Sequence, residues 1–129
     1  MTIVVGYVPT PEGEAALARA GEEARLRTEK LVVVSSTRGE SGVGPTYPQT
    51  GALIRLVAGL KADGVDVEVR HRERSGDAAD DILAAVDAVK ASLVVVGLKK
   101  RSAVGKLVLG STAQTVMLRA RCSVLGVRV

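Results

Sequence analysis

The chain has 129 residues, 47% of them hydrophobic and 25% charged. That length and balance fit one globular domain, residues 1–129, and exclude a disordered or fibrous protein. Two Tyr with no Phe and no Trp require an aliphatic core, one Cys and one His exclude a disulfide within the chain and a multi-histidine zinc site, and the formal net charge is +4.

Thr2 to Val8 is a β-branched, apolar run bounded by Pro9 and Pro11, which predicts a buried strand. Thr10 caps the helix that follows, with Pro11 at its first position and Glu12 and Glu14 in its first turn. This helix is expected to reach about Glu29, with Ala16, Leu17, Ala20, Ala24 and Leu26 on its apolar stripe. Leu31 to Val34 is the next buried strand, and residues 37–50, rich in Gly, Ser, Pro and Thr, form a loop. Ala52 to Ala62 predicts a helix ended by Asp63-Gly64. Val65, Val67 and Val69 alternate with Asp66, Glu68 and Arg70, the pattern of an edge strand with one wetter face. Gly76-Asp77 opens a helix to about Lys90 that buries Ile82, Leu83, Val86 and Val89. Leu93 to Val96 is a strand closing on Gly97, Ser111 to Arg119 a helix, and Ser123 to Val129 the last strand.

Five strands alternating with four helices give an α/β fold. Continuous apolar strands mean a parallel sheet covered on both faces, and right-handed crossovers make it doubly wound. Ligands in such folds bind outside the carboxyl ends of the strands, where the strand order reverses. The first strand and the strand ending at Gly97 are the candidates to flank that point.

Charge is unevenly spread. All 14 acidic residues lie at or before Asp87, whereas 8 basic residues and no acid follow it. A basic final third suits an anionic ligand. No run approaches the roughly 18 apolar residues that span a bilayer, and Met1 to Val8, an apolar run too short for a signal peptide and followed by Glu12 and Glu14, is not expected to be one. A cytoplasmic protein is expected, and the single Cys suits a reducing compartment.

Gly97 to Thr112, GLKKRSAVGKLVLGST, carries the chemistry. It leads from a buried strand to a helix N-terminus, where unbonded N–H groups and the positive dipole end meet an anion. Gly110 permits close backbone approach, Ser111 and Thr112 add hydroxyl donors, and Lys99, Lys100, Arg101 and Lys106 supply charge. It is not a P-loop, because Leu107 follows Gly105-Lys106. Gly39, Gly42 and Gly44 have the wrong spacing for a dinucleotide fingerprint. His71 reads as a solvated surface residue, Cys122 as a small buried hydrophobe, and Asp77, Asp80 and Asp81 as acids favoured at a helix start.

On IVVGYVPTPEGEAAL (3–17), SGDAADDIL (75–83), LVVVGLKKRSAVGKLVLGSTAQTVM (93–117) and CSVLGVRV (122–129), the whole chain resembles a universal stress protein domain. The resemblance implies a Rossmann-like, adenine nucleotide alpha hydrolase-like sheet of order 3-2-1-4-5. It also implies a dimeric ATP-binding switch in stress signalling. The family's motif, Gly-x2-Gly-x9-Gly-(Ser/Thr), is met by Gly97 and by Gly110-Ser111, with Lys100 in place of the second glycine. Val8 stands where nucleotide-binding members carry an Asp that contacts adenosine. Base or ribose recognition would then fall to backbone groups near Pro9 and Thr10 and to Val34. The implied cofactor-binding set is Val8, Pro9, Thr10, Val34, Val96, Gly97, Lys99, Lys100, Arg101, Gly110, Ser111 and Thr112. Lys99, Lys100 and Arg101 would neutralise phosphate.

The implied ligand is ATP, with AMP and cyclic AMP as further candidates and magnesium left open. Nothing in the sequence supplies a catalytic base or nucleophile, so the domain is expected not to be an enzyme, any ATP hydrolysis being slow and incidental. Homodimerisation is expected through the edge strand 123–129, together with an unidentified signalling partner. Val8 and Lys100 favour an alternative, a dimeric adaptor of the same fold without nucleotide. A nucleic-acid binder using the basic final third is disfavoured by the lack of interleaved aromatics.

Overall fold

The computed structural model describes residues 1–35, 51–71, 77–99 and 109–129. It contains β1 (Thr2–Tyr7), α1 (Pro11–Arg27), β2 (Lys30–Ser35), α2 (Gly51–Ala62), β3 (Val67–His71), α3 (Ala78–Val89), β4 (Leu93–Gly97), α4 (Ser111–Arg119) and β5 (Ser123–Val127). The strands form one parallel sheet in the order β3-β2-β1-β4-β5, as the resemblance implied.

Alternation along the strands divides the interior into two cores. Ile3, Val5, Tyr7, Leu31, Val33, Leu93 and Val95 face α1 and α2. Val4, Val32, Val34, Val94 and Val96 face α3 and α4. Both sets are buried, which is why these strands read as unbroken apolar runs rather than as alternating ones. The two edge strands are less covered, and at the β3 edge Lys30 and Arg70 flank Glu68 at 2.9 and 2.7 Å.

Local chemistry sets the helix ends. Thr10 caps α1 by accepting a 3.1 Å bond from the Gly13 N–H, and Asp77 caps α3 by accepting one of the same length from the Ala79 N–H. α1 stops at Arg27, two residues short of the expected end, because Thr28 turns left-handed (φ 56). Leu26 is exposed rather than on the apolar stripe, since the buried set Ala16, Leu17, Ala20, Gly21 and Ala24 repeats at three and four residues, a spacing that passes over position 26. β3 begins at Val67, although Val65 is buried just before it. β5 ends at Val127, and Arg128 and Val129 run on exposed. The glycine-spaced stretch around Gly39, Gly42 and Gly44, and Gly76, lie outside the described residues. No helix among the described residues is long and apolar enough to cross a membrane.

Candidate functional site

β1 and β4 lie side by side at the centre of the sheet, but their chains leave it in opposite directions. β1 feeds α1 on one face, while β4 leads towards α4 on the other. The parting of the two connections opens a cleft over the carboxyl ends of the strands, as expected at a switch point. It encloses about 280 Å³.

The floor of the cleft is Gly6, Val34 and Val96, and α3 contributes Ala78 and Ile82. A Cβ on Gly6 would meet the tip of the Ile82 side chain, which packs over that glycine from α3. Thr10, Glu12 and Gly13 form the α1 wall. That wall is pressed in by two glycines: a Cβ on Gly13 would meet the Val8 carbonyl oxygen, and one on Gly97 the Glu12 carbonyl oxygen. Gly97, the first glycine of the motif, is therefore required for backbone packing whether or not a ligand is present.

The opposite wall is the start of α4, with Leu109, Gly110, Ser111, Thr112 and Ala113. Gly110 holds φ 94 and ψ 146, a conformation costly for residues with a Cβ. No side chain caps this helix, and its first backbone bond runs from the Gln114 N–H to the Gly110 carbonyl. Among the described residues nothing accepts from the preceding N–H groups, which leaves them for an acceptor at the positive dipole end. α1 and α3, by contrast, are capped by their own side chains. Exposed Lys99 lies beside this end, its aliphatic stem 3.4 Å from where a Gly110 Cβ would stand. Together these groups can receive an anion flanked by an apolar body.

The structure brings Val8, Thr10, Val34, Val96, Gly97, Lys99, Gly110, Ser111 and Thr112 to this one cleft. Pro9 is exposed beside it and is not part of its wall. Lys100 and Arg101, with Lys106, lie outside the described residues. Thr10 already uses its N–H on the Val8 carbonyl (2.8 Å), its carbonyl on the Glu14 N–H (2.9 Å) and its hydroxyl on the helix cap, and Pro9 has no N–H to donate. Gly6, Tyr7, Glu12, Gly13, Ala78, Ile82, Leu109 and Ala113 join the wall without having been singled out for it. Of these, Glu12 had registered only as a helix-start acid.

Two other residues correct or refine their sequence readings. Cys122 is half-buried against the α3/α4 core, not fully buried. Burial pushes its thiol above the ordinary value, and the Asp87 carboxylate adds to the effect. His71 is exposed at the end of β3. Among the described residues no group of three or more His, Cys, Asp or Glu is placed to hold a metal.

The sequence profile described as the universal stress protein family matches residues 1–128. The chain belongs to the universal stress protein family. A universal stress protein of Mycolicibacterium smegmatis is 38% identical over 126 residues, covering 98% of this chain and 96% of the relative. A universal stress protein structure in complex with cAMP is 31% identical with TM-score 0.71, covering 99% of this chain and 96% of the other. The universal stress protein from Archaeoglobus fulgidus in complex with dAMP is 28% identical with TM-score 0.69, covering 98% and 96%. This universal stress protein thus shares both sequence and fold with its relatives along nearly its whole length.

Proposed function

We propose that this universal stress protein binds an adenine nucleotide in the β1–β4 cleft and acts as a homodimeric, ATP-responsive signalling module in the cytoplasm. The observation that carries the reading is the uncapped start of α4, with Gly110 at φ 94 and Lys99 beside it, facing an apolar floor. The phosphate sits against the α4 N–H groups, Ser111 and Thr112, and the nucleoside lies toward Val8, Val34 and Val96. Relatives crystallised with cAMP and dAMP support the choice of an adenine nucleotide.

The module binds rather than turns over its ligand, and bound nucleotide orders the motif into a surface that a partner protein reads. Dimerisation uses residues 123–129. β5 is a sheet edge, and Leu118 and Val129 near it are 77% and 64% exposed. Light scattering that returns only a monomer would reject the dimer.

The test of the site is calorimetry with ATP, AMP and cyclic AMP on wild type and Gly110→Val. The variant is expected to lose binding while keeping a cooperative melt, with roughly 1–3 kcal/mol of strain at the substituted position. Unchanged affinity would reject the site. The apolar Val8 in the cleft wall supports a second reading, a dimeric adaptor of the same fold without nucleotide. Mass spectrometry of freshly purified, denatured protein separates the two, since a tight binder carries its nucleotide along.

A further inference from the structure

We infer that Glu12 sets the charge selectivity of the cleft: it disfavours a metal-free triphosphate relative to a singly charged cyclic phosphodiester, and it makes triphosphate binding depend on a divalent cation. This inference rests on the nucleotide reading above and specifies which phosphate the site accepts.

Three observations place Glu12 in that role. First, its backbone is wedged against Gly97, with its Cβ 3.1 Å from where a Gly97 Cβ would stand, so the side chain departs at the first residue of the glycine motif. Second, it lines the same cleft as Lys99, Gly110 and Ser111, and Lys99 is the one cation among the described lining residues. Third, no hydrogen bond or ion pair holds the Glu12 carboxylate among the described residues, and the residue as a whole is half-buried. It is not needed as a cap either, because Thr10 caps α1. Among the described residues, the cleft that receives the phosphate is therefore lined by one acidic residue, and that residue is unpaired.

Repulsion between the carboxylate and the ligand scales with the ligand's charge, and partial burial weakens the screening. A cyclic phosphodiester carries one negative charge, a monophosphate about two and a triphosphate about four. A divalent cation shared between Glu12 and the phosphate chain turns the repulsion into a bridge.

The experiment is calorimetry with cyclic AMP, AMP and ATP, each in EDTA and in magnesium, on wild type, Glu12→Gln and Glu12→Asp. In EDTA, Glu12→Gln is expected to tighten ATP about tenfold, AMP about threefold and cyclic AMP less than about twofold, in order of ligand charge. The gain in ATP affinity from magnesium should shrink by a similar factor in Glu12→Gln and persist in Glu12→Asp, which keeps the charge. Equal changes for all three ligands, or none, would overturn the inference while leaving nucleotide binding intact. Absence of binding by every ligand in all three proteins would instead overturn the nucleotide reading, and this inference with it.

Discussion

The two ends of the sheet are built on different terms. At the amino ends of the strands, backbone groups are tied together. The Ser92 N–H donates to the Thr2 carbonyl (2.8 Å), the Leu31 N–H to the Asp66 carbonyl (2.8 Å) and the Lys30 N–H to the Met1 carbonyl (3.3 Å), while the Ser92 hydroxyl donates to the Glu29 carboxylate (2.7 Å). The helices arriving there close on left-handed Thr28 and Lys90, whose N–H groups return to the last turns. At the carboxyl ends α1 and α3 are capped and the Leu98 N–H donates to the Val127 carbonyl (2.8 Å), but other polar groups are left over. Among the described residues no side chain caps α4, the Glu12 carboxylate is unpaired and the buried Tyr7 hydroxyl has no partner. One end holds the fold together and the other leaves polar groups for something else to satisfy, the division expected when a stable scaffold carries a binding site.

Four substitutions sharpen or break that contrast. The largest effect is expected at Gly97, which sits at the open end but serves packing. Gly97→Ala drives a Cβ into the Glu12 carbonyl and should cost about 4 kcal/mol or more, seen as loss of cooperative melting. Survival of the fold, with only binding impaired, would show that the open end contributes little to stability. At the closed end, Ser92→Ala removes a donor to a carboxylate and to a backbone carbonyl. It should cost about 1–3 kcal/mol in urea unfolding and leave nucleotide affinity unchanged.

Tyr7→Phe should do the reverse. It deletes a buried hydroxyl that makes no bond among the described residues, so stability should rise by about 1 kcal/mol. A marked loss would mean that the hydroxyl has a role in the folded chain. The smallest effect concerns Cys122. Its thiol holds its proton above the ordinary range, chiefly through burial, so alkylation at mildly alkaline pH should be slower than for an unburied thiol. Because the folded state holds that proton more tightly, its contribution to stability is fully present below the ordinary thiol value and is lost as pH rises through the folded one. Asp87→Asn should shift the onset of reaction to lower pH.

The architecture is readable because the three central strands are buried on both faces and so appear as runs of Val, Leu and Ile, each followed, directly or after a loop, by a helical pattern. The start of α4 is legible from Gly110 and Ser111, and its end falls at about the expected Arg119. The misjudged ends have physical causes. Thr28 adopts a left-handed conformation that its β-branched side chain disfavours, so nothing local announces that α1 stops there. The α4 side of the site was legible from glycine and hydroxyl order. Much of the α1 and α3 side was not, because Gly6, Gly13 and Ile82 matter through contacts between segments distant in the chain. A lone glycine inside an apolar strand, as at Gly6, was the available hint that another segment comes close. Glu12 was masked by its equally good role beside a helix dipole.

The glycine contacts beneath α1 have a consequence for how the protein accommodates a guest. With Gly13 seated on the Val8 carbonyl and Gly97 under the Glu12 carbonyl, the opening turn of α1 is clamped to both central strands and has nowhere to retreat. Induced fit must come from the α4 side of the cleft. Hydrogen exchange at the beginning of α1 should therefore stay equally slow with and without guest, while amides at the beginning of α4 register its arrival.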